Sequence, residues 1–151
     1  MKTLLIGYGN VMRCDDGAGV RVAETIEKEQ FAEVEVRTYQ QLQVDLVNEF
    51  SHYERVILVD ASVEGPEVNI RKIRPSSYGH MASSHHLGPD LLLRLSQIVH
   101  LGEPELYLCT IRGECFDFGE TLSSESAKRA EAAVVELRKL ICHERMANAR
   151  G

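Results

Sequence analysis

The chain has 151 residues, of which 44% are hydrophobic and 26% are charged, as is typical of one soluble globular domain. Its formal net charge of −6 argues against a general affinity for nucleic acid or for an anionic membrane surface, so neither is an expected partner. Every apolar run is shorter than the roughly 20 residues that a membrane-spanning helix needs.

The cysteines of the chain are scattered. Cys14, Cys109, Cys115 and Cys142 form no C-x-x-C pair and have no zinc-like spacing. The first residues also lack the pattern of a signal peptide. These features predict reduced thiols rather than a disulfide framework, and a cytoplasmic protein.

Apolar periodicity predicts strands that alternate with helices along the chain. The predicted strands are 2–6, 34–38, 55–60, 67–73 and 105–111. The predicted helices are 17–30, 44–50, 87–100 and a last helix that begins at Ser123 or Ser124. This alternation predicts an α/β sandwich with a largely parallel sheet and helices on both faces. We expect a single domain over residues 1–145 and a frayed tail over residues 146–151.

The stretch LIGYGNVMRCDDGAGVRVAE follows the pattern of a nucleotide-binding turn only in part. Gly7 and Gly9 fit the dinucleotide pattern G-x-G-x-x-G, but its third glycine is replaced by Met12. The carboxylates of Asp15 and Asp16 also carry the wrong charge for a pyrophosphate, and no Gly-Lys-Ser/Thr of a P-loop follows. The sequence therefore argues against a nucleotide site.

Adjacent carboxylates at this turn are the first candidate site residues. Either Asp15 or Asp16 alone is explained as the N-cap of the following helix, but one residue cannot account for both. We expect Asp15 to cap the helix and Asp16 to face the crevice beyond the carboxyl ends of the strands. Asp60 ends the third predicted strand at the same edge, although a carboxylate there is equally typical of a turn.

Histidines precede the helix predicted over 87–100. For any one of His80, His85 and His86, exposure on the surface is the simpler explanation. A loop that returns to the same sheet edge would, however, bring one imidazole towards Asp16 and Asp60. Two carboxylate oxygens and one imidazole nitrogen suit nickel or zinc and leave coordination positions open, as in a transient site.

Covalent catalysis by a cysteine is a weaker alternative. The acidic neighbours of Cys14 disfavour its thiolate, and Cys109 and Cys142 fall within a predicted strand and a predicted helix. No serine stands in a G-x-S-x-G turn.

Taken together, these residues resemble the nickel–iron hydrogenase maturation endopeptidases. The family's first motif, G-x-G-N followed by D-D/E-G-x-G-V, corresponds to Gly7, Gly9, Asn10, Asp15, Asp16, Gly17, Gly19 and Val20. The strand that ends at Asp60, the Ser-x-His-type loop and the segment FDFGETLSSE before the last helix also match the family. The resemblance therefore covers nearly the whole chain.

The resemblance implies an endopeptidase that removes the C-terminal extension of a hydrogenase large-subunit precursor after nickel insertion. The family's fold is a three-layer α/β/α sandwich with a five-strand, mostly parallel mixed sheet, of the phosphorylase/hydrolase-like kind. The implied catalytic and metal-contacting residues are Asp16, Asp60 and His85, with His86 as the alternative to His85. The nickel is supplied by the substrate, other divalent ions are expected to occupy the site in vitro, and no organic cofactor is implied.

Two alternative functions use the same residues. One is a different carboxylate- or metal-dependent peptidase on the same fold, and the other is a non-catalytic module that checks for bound nickel. The peptidase mechanism is either of the aspartic type or assisted by the substrate's metal. We expect a monomer.

Overall fold

The computed structural model describes residues 2–75, 89–102 and 104–150. Its strands are β1 (Thr3–Tyr8), β2 (Val34–Tyr39), β3 (Arg55–Ser62), β4 (Val68–Lys72) and β5 (Glu105–Arg112). Its α-helices are α1 (Ala18–Lys28), α2 (Pro89–Leu101) and α3 (Ser124–Arg150), and 3-10 helices cover Cys14–Gly17 and Val44–His52. The predicted alternation of strands and helices is confirmed. None of the described helices combines the length and the apolar character that spanning a bilayer requires.

The strands form one mixed sheet in the order β2-β1-β3-β5-β4. β1 pairs in parallel with β2 and β3, and β3 pairs in parallel with β5. β4 pairs with β5 in the antiparallel direction at the edge of the sheet. The central strands β1 and β3 are buried almost throughout, because helices cover both faces of a parallel sheet. The expected five-strand, mostly parallel mixed sheet is therefore confirmed.

Helical layers lie on the two faces of this sheet. Ile57 and Val59 of β3 belong to the apolar core beneath α1 and α3. Val56 and Leu58, which point to the opposite face, belong to the core beneath α2 and the 3-10 helix Val44–His52. The sheet therefore lies between two layers of helices, which gives the three-layer α/β/α sandwich that was expected.

Glycines allow α1 to lie very close to the central strands. A β carbon at Gly7 in β1 would lie 2.3 Å from the backbone oxygen of Gly19 in α1. A β carbon at Gly19 would in turn lie 2.3 Å from the backbone oxygen of Val59 in β3. The glycine pattern of this segment therefore serves the close packing of helix on sheet, and it brings the 3-10 helix Cys14–Gly17 to the carboxyl edge of the sheet.

Several elements are longer than the sequence predicted. β1 ends at Tyr8 rather than at Ile6, and β3 ends at Ser62 rather than at Asp60. Asp60 thus lies inside the strand, in register with Thr110 of β5. The helix α3 extends to Arg150 and so includes residues 146–150, for which a tail was expected. The division at residue 145 stays a prediction.

Candidate functional site

Asp16 and Asp60 both lie at the carboxyl edge of the sheet. Asp16 belongs to the 3-10 helix that follows β1, and Asp60 lies near the end of the neighbouring strand β3. Their side chains are almost completely buried, since Asp16 is 6% and Asp60 1% exposed. A β carbon at Gly19 would lie 3.1 Å from the α carbon of Asp60, so the first turn of α1, which begins two residues after Asp16, contacts the end of β3. The structure therefore brings the two predicted carboxylates to the same region.

The loop before Asp16 is folded around that residue. Asp16 Oδ2 accepts a hydrogen bond of 2.9 Å from the backbone nitrogen of Asn10, and Asn10 Oδ1 accepts one of 2.9 Å from the backbone nitrogen of Met12. Gly9 has a φ of 140°. A β carbon there would lie 2.1 Å from the backbone oxygen of Asp16, so a glycine is required at this position. Gly9 and Asn10 thus set the position of the Asp16 carboxylate.

Asp15 has a different role from the one that the sequence predicted. No side-chain hydrogen bond caps either the 3-10 helix Cys14–Gly17 or α1, so the expectation that Asp15 caps α1 is wrong. Asp15 is 0% exposed and binds the loop after β5 instead. Its carboxylate accepts hydrogen bonds from the backbone nitrogens of Glu114 (2.7 Å), Cys115 (2.9 Å) and Ser123 (2.7 Å), and from the Ser123 hydroxyl (2.7 Å).

The hydrogen bonds to Asp15 also determine its charge. Burial by itself would raise the pKa of this carboxyl group, but the donors of Glu114, Ser123 and Cys115 outweigh burial and lower the pKa from 3.8 to about 2. Asp15 is therefore ionised at neutral pH. An ionised, fully buried carboxylate with four donors fixes the loop 113–123 against the loop that carries Asp16.

The two loops are also joined through their backbones. The nitrogen of Cys14 donates to the oxygen of Gly119 at 2.7 Å, and the nitrogen of Gly119 donates to the oxygen of Met12 at 2.8 Å. These bonds form an isolated parallel bridge between Arg13 and Gly119. The nitrogen of Asp15 donates to the oxygen of Cys115 at 2.9 Å. The segment containing Asp16 is therefore held by residues about one hundred positions further along the chain.

Arg129 of α3 anchors the same loop from its other side. This side chain is buried, and its Nη1 donates to the backbone oxygen of Arg112 at 2.9 Å and to Glu114 Oε1 at 2.7 Å. Its Nη2 donates to Glu67 Oε1 at 3.4 Å. The hydrogen bond with Glu114 raises the pKa of the Arg129 guanidinium. Sequence reasoning missed this residue, because nothing in a helical pattern marks a buried arginine as the partner of a distant loop.

Cys14 and Cys109 are poor nucleophiles, as the sequence indicated. Burial raises the pKa of Cys14, and the neighbouring Cys115, Asp15 and Asp117 raise it further. Burial also raises the pKa of Cys109 to about 12. Both thiols therefore stay protonated at neutral pH.

The predicted third ligand lies outside the described residues. His80, His85 and His86 all fall within residues 76–88, so their proposed roles stay predictions. Among the residues that the structure does describe, no three His, Cys, Asp or Glu side chains form a group that could hold a metal ion. Asp16 and Asp60 alone account for the described part of the predicted site.

No protein-family model and no curated protein matches the sequence. Solved structures, in contrast, match nearly the whole chain. The NiFe hydrogenase maturation protease HybD from Thermococcus kodakarensis is 22% identical with a TM-score of 0.70, over 93% of this chain and 99% of that one. The hydrogenase maturating endopeptidase HybD from E. coli is 19% identical with a TM-score of 0.72, over 95% of this chain and 94% of that one.

A hydrogenase 2 maturation peptidase from a Thaumarchaeota archaeon is similar to the same extent. It is 22% identical with a TM-score of 0.68, over 93% of this chain and 98% of that one. The chain therefore has the α/β/α fold of the hydrogenase maturation proteases. At the level of the fold, the comparisons confirm the resemblance that the sequence motifs indicated.

Proposed function

We propose that this protein is a nickel–iron hydrogenase maturation endopeptidase that removes the C-terminal extension of a large-subunit precursor after nickel has been inserted. The observation that carries the proposal is the pair of buried carboxylates, Asp16 and Asp60, at the carboxyl edge of a sheet with the fold of these proteases. In open α/β sheets this edge is where ligands bind. The proteins of this fold named above are maturation proteases, which supports the same reaction here.

In this proposal, nickel is part of the substrate. Asp16, Asp60 and His85 would complete the coordination of a nickel ion that the precursor already holds, with His86 as the alternative to His85. A metal-free precursor would lack this anchor, so that cleavage depends on correct metal loading. No organic cofactor is required, and other divalent ions with a preference for oxygen and nitrogen ligands would occupy the carboxylates in vitro.

The proposed chemistry is the addition of water to the scissile peptide carbonyl. The nickel of the substrate would fix the position of the scissile bond, and one of the two carboxylates takes a proton from the attacking water. This carboxyl group then gives the proton to the amide nitrogen, and the carbon–nitrogen bond breaks. The new carboxyl group stays on the large subunit, and the extension leaves with its nitrogen as a free amine. The hydrogen bond from the Asn10 backbone to Asp16 favours this role, because a catalytic carboxylate must be held in position.

Cleavage of a nickel-loaded precursor tests the proposal directly. Purified protein is incubated with nickel-loaded and with metal-free precursor, and the mass of the large subunit is measured. We expect only the nickel-loaded precursor to lose its extension. We expect Asp16→Asn and Asp60→Asn each to slow this loss by at least about a hundredfold, the usual effect of removing a general acid or base.

A matched control and the alternative functions complete this test. Asp117 is an exposed carboxylate in the loop 113–123, and Asp117→Asn is expected to process the precursor at the normal rate. Nickel-dependent binding with an unchanged mass would instead identify a non-catalytic nickel-checking module. Cleavage of the metal-free precursor at the same rate would identify a different peptidase on this fold.

We also infer a cytoplasmic location and a monomeric state. Cys14, Cys109, Cys115 and Cys142 are free thiols in the structure, which supports a reducing compartment. Cell fractionation and light scattering of the purified protein test these two inferences. Enrichment in a periplasmic or membrane fraction, or a mass twice that of the chain, would contradict them.

A further inference from the structure

An uncharged pocket opens beside the segment that holds Asp16. It has a volume of about 260 Å³ and lies at the carboxyl ends of β1 and β2. None of the described residues that line it is Asp, Glu, Lys, Arg or His. Its lining includes the apolar side chains of Val11, Met12 and Val20 and the polar side chains of Asn10, Thr38 and Gln40. In a chain with 26% charged residues, a lining without charge indicates an uncharged ligand group.

The pocket is directly connected to the candidate site. Asn10 lines the pocket, and its backbone nitrogen donates the 2.9 Å hydrogen bond to Asp16 Oδ2. The pocket therefore lies within reach of the residues that flank a peptide bond held at Asp16.

Phe118 is an exposed apolar residue on the loop that is joined to Met12 of the pocket lining. Its side chain is 85% exposed, more than any other large apolar side chain among the described residues. The next residue, Gly119, is bonded through its backbone to Met12 and Cys14 at 2.8 Å and 2.7 Å. Because the parallel bridge joins Arg13 to Gly119, the residues just before them, Met12 and Phe118, lie side by side.

Phe118 is therefore exposed on a loop whose backbone is held in place by hydrogen bonds. The backbone bonds to Gly119 and the carboxylate of Asp15 hold this loop in place. An exposed aromatic side chain on a fixed backbone is the kind of residue that dominates protein–protein interfaces. We call the surface formed by Val11, Met12, Val20 and Phe118 the apolar rim.

We propose that the apolar rim binds the hydrogenase large-subunit precursor, with the uncharged pocket taking an uncharged side chain near the cleaved bond and Phe118 packing against a flanking apolar side chain. This inference rests on the proposed function, because the precursor is the partner that must reach Asp16. The absence of charge from the described lining disfavours an acidic or a basic side chain in the pocket.

Steady-state kinetics of precursor cleavage test the apolar rim. We expect Phe118→Ser to raise KM by about tenfold, as truncation of an interface anchor does, and to leave kcat within about twofold. Phe118→Leu keeps an apolar side chain and is expected to restore most of the affinity. Leu101 is the matched control, because it is 80% exposed but precedes β5 at the opposite edge of the sheet. Leu101→Ser is expected to leave both constants unchanged.

A second pair of variants tests the pocket. Gln40 lines the pocket, whereas the exposed neighbour Gln41 does not. We expect Gln40→Lys to raise KM several-fold, because it introduces a charge beside an uncharged ligand group, and Gln41→Lys to have no effect. Equal KM values for the wild type, Phe118→Ser and Gln40→Lys would overturn the inference.

A binding measurement separates failure of this inference from failure of the proposed function. Titration of labelled, nickel-loaded precursor into the protein reports affinity without requiring cleavage. If the wild type binds but does not cleave, the proposed peptidase function fails, and weaker binding by Phe118→Ser still supports the apolar rim. If the wild type cleaves and Phe118→Ser binds equally well, the apolar rim fails while the peptidase function stands. If the wild type does not bind the precursor, both are overturned.

Discussion

Asp15 and Asp16 are adjacent in the sequence, yet their surroundings differ. Asp15 accepts four hydrogen bonds from the loop after β5, whereas Asp16 is held by Asn10 at the sheet edge. Donors to Asp15 offset the cost of placing two carboxylates side by side. The position of Asp16 could be predicted, because the turn after β1 must lie at this edge. The partners of Asp15 could not, because Glu114 is 99 positions away in the sequence.

The lowered pKa of Asp15 predicts a specific loss of stability in acid. Its pKa is about 2 in the folded protein against 3.8 for an ordinary Asp. The ionised form therefore contributes its full stability above about pH 4, and that contribution disappears as the pH falls towards 2. We expect Asp15→Asn to lower the free energy of unfolding at pH 7 by about 2 kcal/mol or more, because the amide points a donor at backbone donors. Urea unfolding at neutral pH measures this loss.

The pH dependence distinguishes the charge of Asp15 from its packing. Between about pH 4 and about pH 2, stability should fall less steeply in Asp15→Asn than in the wild type. Asp117→Asn, in an exposed part of the same loop, is expected to match the wild type at every pH. Identical acid profiles for the wild type and Asp15→Asn would contradict this account.

At the scale of the elements, the packing of α1 on β1 and β3 decides where the candidate carboxylates lie. Gly19 meets the backbone oxygen of Val59, and no side chain can relieve that contact by changing rotamer. The start of α1 consequently packs against the end of β3, where Asp60 lies. Asp16, which precedes α1, is placed at the same end of the strand. The sequence indicated glycines at a helix start but not the strand that they approach.

Gly19→Ala should separate α1 from the sheet. The added β carbon would lie 2.3 Å from the Val59 oxygen, so the helix must move. We expect a loss of at least about 2 kcal/mol in the free energy of unfolding, in the upper range for overpacking. Because the helix start carries the segment of Asp16, we also expect slower precursor processing by the molecules that remain folded.

The matched control is Glu27→Ala, at an exposed position of α1, which should change stability by less than about 0.5 kcal/mol. Normal stability of Gly19→Ala would refute this close contact.

The loop after β5 is a second element whose order depends on distant residues. Arg129 donates to the backbone oxygen of Arg112 at the end of β5 and to the carboxylate of Glu114 on this loop. The backbone nitrogen of Glu114 in turn donates a hydrogen bond to Asp15. We expect Arg129→Ala to speed the hydrogen exchange of the amides of Glu114 and Cys115 by about tenfold or more, since local opening becomes easier. Lys128→Ala is the matched control, because Lys128 is the exposed neighbour of Arg129, with 74% of its side chain accessible. Unchanged exchange in Arg129→Ala would exclude an anchoring role.

Strand and helix types were predictable here, but their ends were not. The buried run of β3 and the leucine-rich pattern of α2 follow from periodicity alone. The last two residues of β3, Ala61 and Ser62, are strand residues because they pair with Ile111 and Arg112 of β5. Such pairing depends on a neighbour about 50 positions away, which no local pattern reveals.

At the scale of the whole molecule, the alternation of elements predicts three layers but does not determine the strand order. β4 follows β3 in the sequence, yet it pairs with β5 and runs antiparallel to it. The connection between β3 and β4 spans only residues 63–67, which is too short for a parallel crossover. The direction of β4 is thus a consequence of loop length, whereas its neighbour is β5 because β5 lies between β3 and β4 in the sheet.

The two edges of the sheet have separate roles. The carboxyl edge carries Asp16 and Asp60, and the amino edge carries Arg55, which is 2% exposed at the start of β3. Arg55 Nε donates to Thr3 Oγ1 of β1 at 3.1 Å, and its Nη1 donates to the backbone oxygen of Leu140 in α3 at 3.5 Å. This side chain therefore links two strands and a helix at a distance from the candidate site.

Stability and processing should accordingly respond to different substitutions. Arg55→Ala leaves a cavity and removes donors from buried oxygens, so we expect it to lower the free energy of unfolding by about 3 kcal/mol. Its kcat and KM for the precursor, measured where the protein is fully folded, are expected to stay at the wild-type values. Asp16→Asn is expected to have the opposite pair of effects: the precursor is no longer processed, and the free energy of unfolding is nearly unchanged. Lys72→Ala, at an exposed position of β4, should alter neither property. If Arg55→Ala abolished processing in a fully folded protein, the two edges would be coupled, and the carboxylate pair could not be treated as a site that the fold merely supports.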